Sequence, residues 1–284
     1  MWIDGVRAAP GSAQVSVFDR GFLYGDSVFE TMRTYGGRPF ALREHVDRLV
    51  WSASRVFIDV PVEARELCEE VERATREAGF SESYLRLMVT RGVGALGLDP
   101  GLSERPLRVL IVAPLVAPPP EAYRDGVSVI TFATQRVADA TGAAGAKIGN
   151  YLVAVLAMRQ ARQAGAVEAL IADHEGRVVE GSTSNVFVVK DGALYTPAES
   201  DGILPGITRA RVIAVARELS YPLVFGALER SLLESADEVF VSSSIRELLP
   251  VVRIDGRVVG AGVPGPTTRA LHAAFRESVQ ARAE

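Results

Sequence analysis

Lys147 is the residue in this chain best suited to act as an amine nucleophile. The sequence holds 31 lysines and arginines, and only Lys147 and Lys190 are lysines. Arginine stays protonated at any working pH, whereas a lysine amine becomes reactive once burial or a neighbouring cation makes its charged form costly. Lys190 sits in Lys-Asp-Gly, a hairpin-turn signature. Lys147 lies between the small residues Ala143-Ala144-Gly145-Ala146 and the run Ile148-Gly149-Asn150-Tyr151-Leu152, which leads into an apolar helix. A snorkelling lysine at a helix start would show the same pattern.

Three segments suit an oxyanion. Gly206-Ile207-Thr208 opens a helix, where unpaired N–H groups and the helix dipole favour negative charge. Ser242-Ser243-Ser244 ends a strand and offers hydroxyls and amides. Arg48 shares a helical face with His45 and Leu49, and its guanidinium fork matches a phosphate. Each has an ordinary alternative: N-capping by Thr208, a polar turn, and an ion pair of Arg48 with Glu44 or Asp47. Glu180 ends a β-branched strand before Gly181-Ser182-Thr183-Ser184-Asn185. It can pair with a protonated ring nitrogen, or it is a solvated hairpin acid. At ~3 Å and an effective dielectric of ~20 such a pair gives at most roughly 5 kcal/mol.

The elements that must position these groups alternate between strands and helices. Trp2–Ala8 predicts a hairpin around Asp4-Gly5, Val15–Phe18 a strand, and Ser27–Tyr35 a strand ending at the Gly36-Gly37 turn. Glu44–Val56 and Ala64–Ala78 carry helical stripes, the second stopped by Gly79. Ser83–Thr90 and Leu107–Ala113 predict buried strands flanking a glycine-rich loop, Arg91–Gly101. Pro118-Pro119-Pro120 suits a stiff connector. It divides the chain into residues 1–117, a linker 118–121, and residues 122–284, the last carrying Lys147. Beyond it come the strand Val127–Ala133, a helix Tyr151–Ala164 capped by Asn150, hairpins at Glu175-Gly176, Asp191-Gly192 and Asp255-Gly256, a helix Ala210–Leu219, the strand Glu238–Ser242 and a closing helix Thr268–Ala281. Both halves mix strands and helices, an α/β or α+β class.

Composition narrows the function. A net charge of −4 offers no basic footprint for nucleic acid. The single cysteine, Cys68, excludes an internal disulfide framework and fits a reducing compartment, hence a cytoplasmic expectation. The start of the chain shows no secretory signal pattern, and the longest apolar run, Val109–Ala117, is too short to span a bilayer.

Ordered blocks run along nearly the whole chain: Asp19-Arg20-Gly21, Tyr24-Gly25-Asp26, Val28-Phe29-Glu30-Thr31, His45 to Leu49, Lys147 to Tyr151, Glu180 to Phe187, Leu204 to Arg209 and Gly265 to Thr268. Together they resemble the class IV, fold-type IV pyridoxal-phosphate enzymes. That family comprises branched-chain and D-amino-acid aminotransferases, (R)-selective amine transaminases and aminodeoxychorismate lyases. The resemblance implies a smaller N-terminal α/β domain, a larger C-terminal pseudo-barrel domain and a homodimer. It implies pyridoxal 5'-phosphate linked to Lys147, which later shuttles a proton. Glu180 would pair with the pyridine nitrogen, supported by Asn185, and Leu204 would pack on the ring. Arg48, Ile207, Thr208, Ser243 and Ser244 would hold the phosphate. Tyr151 would reach the ring hydroxyl, although it follows the lysine by four residues where branched-chain enzymes have five. Tyr24, Phe29, Thr31, Tyr84, Arg86 and Ile245 would contact substrate.

The branch is read from side chains around the substrate. Tyr84-Leu85-Arg86 and the loop Gly94 to Pro100 resemble branched-chain aminotransferases, pointing to L-amino acids with 2-oxoglutarate as acceptor. Thr31 stands where those enzymes have glycine and the lyases have a threonine proton relay. Arg246 either admits an acidic substrate or faces solvent.

Overall fold

The computed structural model describes residues 1–134 and 143–283. The chain divides into two compact units: Met1–Val116 together with Ala146–Tyr151, and Ala117–Gly145 together with Leu152–Arg282. Lys147 thus packs with the first unit, not with the second half of the chain as its sequence position suggested. Backbone pairing to the first unit's sheet, described below, is the cause.

The first unit contains β1 (Trp2–Ile3), β2 (Val6–Arg7), α1 (Arg20–Tyr24), β3 (Ser27–Tyr35), β4 (Arg38–Pro39), α2 (Leu42–Arg55), α3 (Ala64–Ala78), β5 (Ser83–Gly94) and β6 (Ser103–Pro114). Its six strands run in the order β2-β1-β6-β5-β3-β4. Strand alternation sorts side chains onto two faces. Val28, Met32, Leu85, Leu87 and Val89 join Val46, Leu49, Leu67 and Val71 of α2 and α3 in one buried cluster. Phe29, Thr31, Tyr84, Arg86 and Met88 alternate onto the opposite face, where all but Phe29 are half-buried.

Two expectations change here. Val15–Phe18 is irregular, because the Ser16 hydroxyl accepts the Phe18 N–H at 3.1 Å and turns the chain. The predicted glycine loop is shorter, because β5 continues to Gly94 through a bulge against β6. At that bulge Gly92 has φ +90°, and a Cβ there would lie 1.8 Å from the Arg105 carbonyl oxygen.

The second unit contains α4 (Pro120–Arg124), β7 (Val127–Ala133), α5 (Leu152–Gln163), β8 (Glu168–Ala172), β9 (Val178–Gly181), β10 (Asn185–Lys190), β11 (Ala193–Thr196), α6 (Ile207–Glu218), β12 (Leu223–Phe225), α7 (Arg230–Glu234), β13 (Glu238–Ser243), β14 (Glu247–Ile254), β15 (Arg257–Val258) and α8 (Pro266–Ala283). The sheet order is β12-β11-β10-β13-β14-β7-β8-β9, with β15 on β14. The sheet curls. Val178 in the edge strand β9 exchanges two 2.9 Å backbone hydrogen bonds with Leu228, three residues past the opposite edge strand β12. The result is a pseudo-barrel. Its interior is filled by Val129, Leu170, Val186, Val188, Val241 and Leu249, while Ile130, Ala169 and Ile171 point the other way onto Ala157 and Ala161 of α5.

Pro120 does not extend the connector. It occupies the first turn of α4, where its missing N–H costs nothing. Helix α6 starts at Ile207 rather than Ala210, since the Ala210 N–H already bonds the Gly206 carbonyl at 2.8 Å. Among the described residues no helix is long and apolar enough to cross a membrane.

Gly92→Ala is expected to destabilise the protein by about 2 kcal/mol or more, through strain at positive φ and the clash at the bulge. Chemical denaturation checks this; an unchanged midpoint would contradict the backbone account.

Candidate active site

The segment carrying Lys147 is pinned to β3 by its backbone. The Phe29 N–H donates to the Lys147 carbonyl at 3.1 Å, and the Gly149 N–H donates to the Ser27 carbonyl at 2.7 Å. The Lys147 N–H donates to the Ser52 hydroxyl of α2 at 3.1 Å. Gly149 is required by proximity, since a Cβ there would fall 2.1 Å from Ser27 Oγ. The half-buried Lys147 side chain therefore lies over Phe29, with Nζ 4.6 Å from the ring centroid and 3.0 Å from the Tyr151 hydroxyl. The Tyr151 and Phe29 rings meet edge to face at 5.0 Å. The Arg86 guanidinium also sits over Phe29, at 3.9 Å from its centroid. An amine, a phenol and a guanidinium thus share one aromatic platform, a set that can hold and move a proton beside an anion.

Thr31 pairs with Arg86 across β3 and β5, and both side chains alternate onto the face that carries Phe29. Tyr84 shares that face. Tyr24, at the end of α1, receives a 3.2 Å hydrogen bond from the Gly97 N–H, while Arg20 bonds the Gly97 carbonyl at 2.8 Å and lies over the Tyr24 ring. The sequence block around Asp19 to Asp26 therefore clamps the loop after β5.

On the helix side of the same sheet lies a group that was not anticipated. Glu30 is fully buried and receives Arg48 Nε and Nη2, each at 2.7 Å. His45 Nδ1 bonds the same carboxylate at 2.7 Å. The ion pair of Arg48 is thus made with an acid of the neighbouring strand, and not with Glu44 or Asp47, the ordinary alternative to a phosphate contact. Burial raises the Glu30 pKa, but the charge of Arg48 and the hydrogen bonds from Arg48 and His45 outweigh it, leaving it at about 2 instead of 4.5. Burial pulls His45 below its usual 6.5 against the pull of Glu30, so the ring is neutral at pH 7 and Nδ1–H donates. The signal was present in the sequence: an acid in β3 in phase with Val28 and Met32.

In the second unit Glu180 Oε2 accepts the Leu204 N–H at 3.1 Å, and Asn185 Nδ2 donates to the Leu204 carbonyl at 3.0 Å. These two side chains hold Leu204 by both its backbone groups. Ile207 and Thr208 form the first turn of α6, whose N-cap is Gly206 and carries no capping side chain. Ser243 ends β13, and Ser244 and Ile245 follow it; both serines are half-buried. Ser242 Oγ is buried and has no hydrogen-bond partner among the described residues. Arg246 corrects the expectation that it would admit substrate or face solvent: its guanidinium pairs with the buried Glu168.

A family model for amino-transferase class IV matches residues 27–254. The chain belongs to the class IV aminotransferases. Among its relatives in this family, a Methanocaldococcus jannaschii protein, provisionally named a branched-chain-amino-acid aminotransferase, is 41% identical over 98% of this chain and 95% of its own. A D-alanine aminotransferase of Listeria monocytogenes is 37% identical over 94% of this chain and 91% of its own. A solved Escherichia coli branched-chain amino acid aminotransferase superposes with a TM-score of 0.93 at 34% identity, covering 98% of this chain and 93% of that one. Another solved branched-chain enzyme, holding pyridoxamine 5'-phosphate, superposes equally well at 35% identity. The chain is therefore an aminotransferase of the α/β, fold-type IV architecture.

Each unit taken by itself carries groups of the kind the family's phosphorylated pyridine cofactor takes: in the first an amine beside an aromatic ring, and in the second a carboxylate fixed by a backbone N–H and a helix N-terminus without a side-chain cap.

Glu30 has a lowered folded-state pKa, so its contribution, on the order of 3 kcal/mol, is complete above its ordinary 4.5 and is lost as pH falls towards about 2. Glu30→Gln is expected to lower stability at pH 7 by a similar amount and to flatten the acid limb between those values. Urea midpoints across that range check this; parallel curves for parent and variant would contradict it. Gly149→Ala is expected to lower the melting temperature by several degrees, because its Cβ would fall 2.1 Å from Ser27 Oγ; an unchanged melting temperature would contradict the close approach.

Proposed function

We propose that this aminotransferase uses pyridoxal 5'-phosphate to move the amino group of an L-amino acid with a branched apolar side chain to a 2-oxo acid such as 2-oxoglutarate. The observation that carries the reading is the Lys147 amine beside the Tyr151 hydroxyl on the Phe29 ring, with Arg86 over the same ring. Lys147 would bind the cofactor's aldehyde carbon. Glu180 would keep the ring nitrogen protonated, Asn185 would support it, and Leu204 would lie on the ring. The Ile207 and Thr208 amides, Ser243 and Ser244 would hold the phosphate, joined by Arg48 through the guanidinium N–H groups that Glu30 does not take. When bound, the cofactor supplies an aldehyde that takes the amino group and a ring that withdraws electrons from the substrate Cα.

The chain's own part is proton transfer and orientation. Lys147 Nζ would take the proton from the substrate Cα and hold it for return to the bound group, with the Tyr151 hydroxyl 3.0 Å away to steady the amine. Arg86 and Tyr84 orient the substrate carboxylate. Tyr24, Phe29 and Thr31 of the first unit, and Ile245 of the second, would each contribute to the side-chain space. The arginine-free loop between Gly94 and Pro100 supports an apolar substrate.

Thr31 supports a second reading, an aminodeoxychorismate lyase releasing pyruvate and 4-aminobenzoate. Its hydroxyl-bearing side chain alternates onto the same face as Phe29 and Arg86. The chain as a homodimer is part of the proposal. Exposed Phe18, Phe22, Leu96 and Leu98 in the first unit, and Leu152, Val153, Val155 and Leu156 on α5 in the second, are apolar surfaces that a second copy would cover. Light scattering at twice the chain mass supports this, and a monomer at micromolar concentration opposes it.

With pyridoxal phosphate bound, L-leucine or L-valine plus 2-oxoglutarate is expected to yield glutamate, and D-donors to react far more slowly. Pyruvate release from aminodeoxychorismate without any acceptor would instead favour the lyase. Lys147→Ala is expected to fold and to lose about a thousandfold or more in rate; parental turnover in that variant would refute the assignment.

A further inference from the structure

We propose that Glu168 is a positioning residue that locks the Gly181–Asn185 turn and the Ser243–Arg246 turn into one rigid cradle. This rests on the cofactor reading above. Glu168 begins β8 and is fully buried, yet lies in none of the groups assigned to cofactor or substrate. Five donors converge on it. Oε1 accepts the Ser182 hydroxyl and the Ala169 N–H, the latter at 2.9 Å. Oε2 accepts Thr183 Oγ1 at 2.9 Å, Ser184 Oγ at 3.1 Å and the Arg246 guanidinium.

Three consecutive side chains cannot reach one point from an extended strand, where neighbours alternate between faces. They do so here because the chain turns tightly, with the Gly181 N–H donating to the Ser184 carbonyl at 2.7 Å and the Ser182 N–H to the Ala169 carbonyl at 2.8 Å. That turn lies directly between Glu180 and Asn185, which grip Leu204 by its N–H and its carbonyl.

On the other side, Glu168 fixes Arg246, whose N–H donates to Ser243 Oγ at 3.3 Å and whose carbonyl accepts the Tyr123 hydroxyl at 3.0 Å. One carboxylate therefore sets the geometry of both the acid meant for the ring nitrogen and the serines meant for the phosphate. Burial pushes its pKa up, and the charge of Arg246 with the hydroxyl bonds outweighs that and keeps it ionised. If Glu168 served only to neutralise Arg246, the three hydroxyls would be dispensable to cofactor binding.

The test is titration of cofactor-free protein with pyridoxal 5'-phosphate, followed by absorbance, with the melting temperature measured in parallel. Glu168→Gln is expected to weaken affinity about 10- to 100-fold. The pair Glu168→Leu with Arg246→Met removes both charges. It is expected to recover the melting temperature lost in Glu168→Leu alone, but not the affinity. Parental affinity in either folded variant would overturn the proposal. Should neither fold, Thr183→Val at the exposed rim removes one donor without unpairing a buried charge. It is expected to cost about fivefold in affinity, and no loss there would equally overturn it. Failure of the parental protein to take up the cofactor would instead sink the cofactor reading, before any variant is compared.

Discussion

Backbone pairing between residues 146–151 and β3 is the constraint on which the first unit's chemistry depends. Two main-chain hydrogen bonds and the Ser52 contact fix where Lys147 leaves the chain. Main-chain bonds carry no preference for the side chains they position, so they can place a lysine on an aromatic ring without competing for its amine. Gly149 permits the approach, and Phe29 then serves two purposes: its N–H anchors the segment, and its ring receives both Lys147 and Arg86.

Each unit uses a buried carboxylate as a fastener behind its functional surface. In the first, Glu30 holds Arg48 and His45 beneath the sheet. In the second, Glu168 gathers Ser182, Thr183, Ser184 and Arg246. Removing a buried charge's partner is far more costly than removing a surface pair, which makes such groups effective at enforcing a single arrangement. A third acid, Glu247, is held by His272 and Arg276 of α8. Burial raises its pKa, but the bonds from these two side chains outweigh that and lower it to about 2. It follows directly after Arg246 and ties the C-terminal helix to the same turn.

Regular periodicity made much of this architecture legible in the sequence. Ala64–Ala78 was predicted to its ends because a leucine–valine–alanine stripe and a terminal glycine leave little choice. Val15–Phe18 misled because alternation is only permissive, and a local serine hydroxyl turned the chain first. Among the candidate site residues, Lys147 stood out by composition and Glu180 by its place at the end of a β-branched strand. Arg48 was read on the correct helical face, but its partner came from a strand 18 residues earlier. Glu168 was missed because a strand that opens with an acid looks solvated until the hydroxyls that enclose it are folded against it. Long-range polar pairing leaves no periodic trace in the chain, whereas apolar burial does.

A chain with two lysines allows an unusually direct test of the central claim. Protein incubated with pyridoxal 5'-phosphate, reduced with borohydride and digested should carry the phosphopyridoxyl label on the peptide containing Lys147. A label confined to Lys190, or none at either position, would contradict the assignment of Lys147 as the amine on which the chemistry depends.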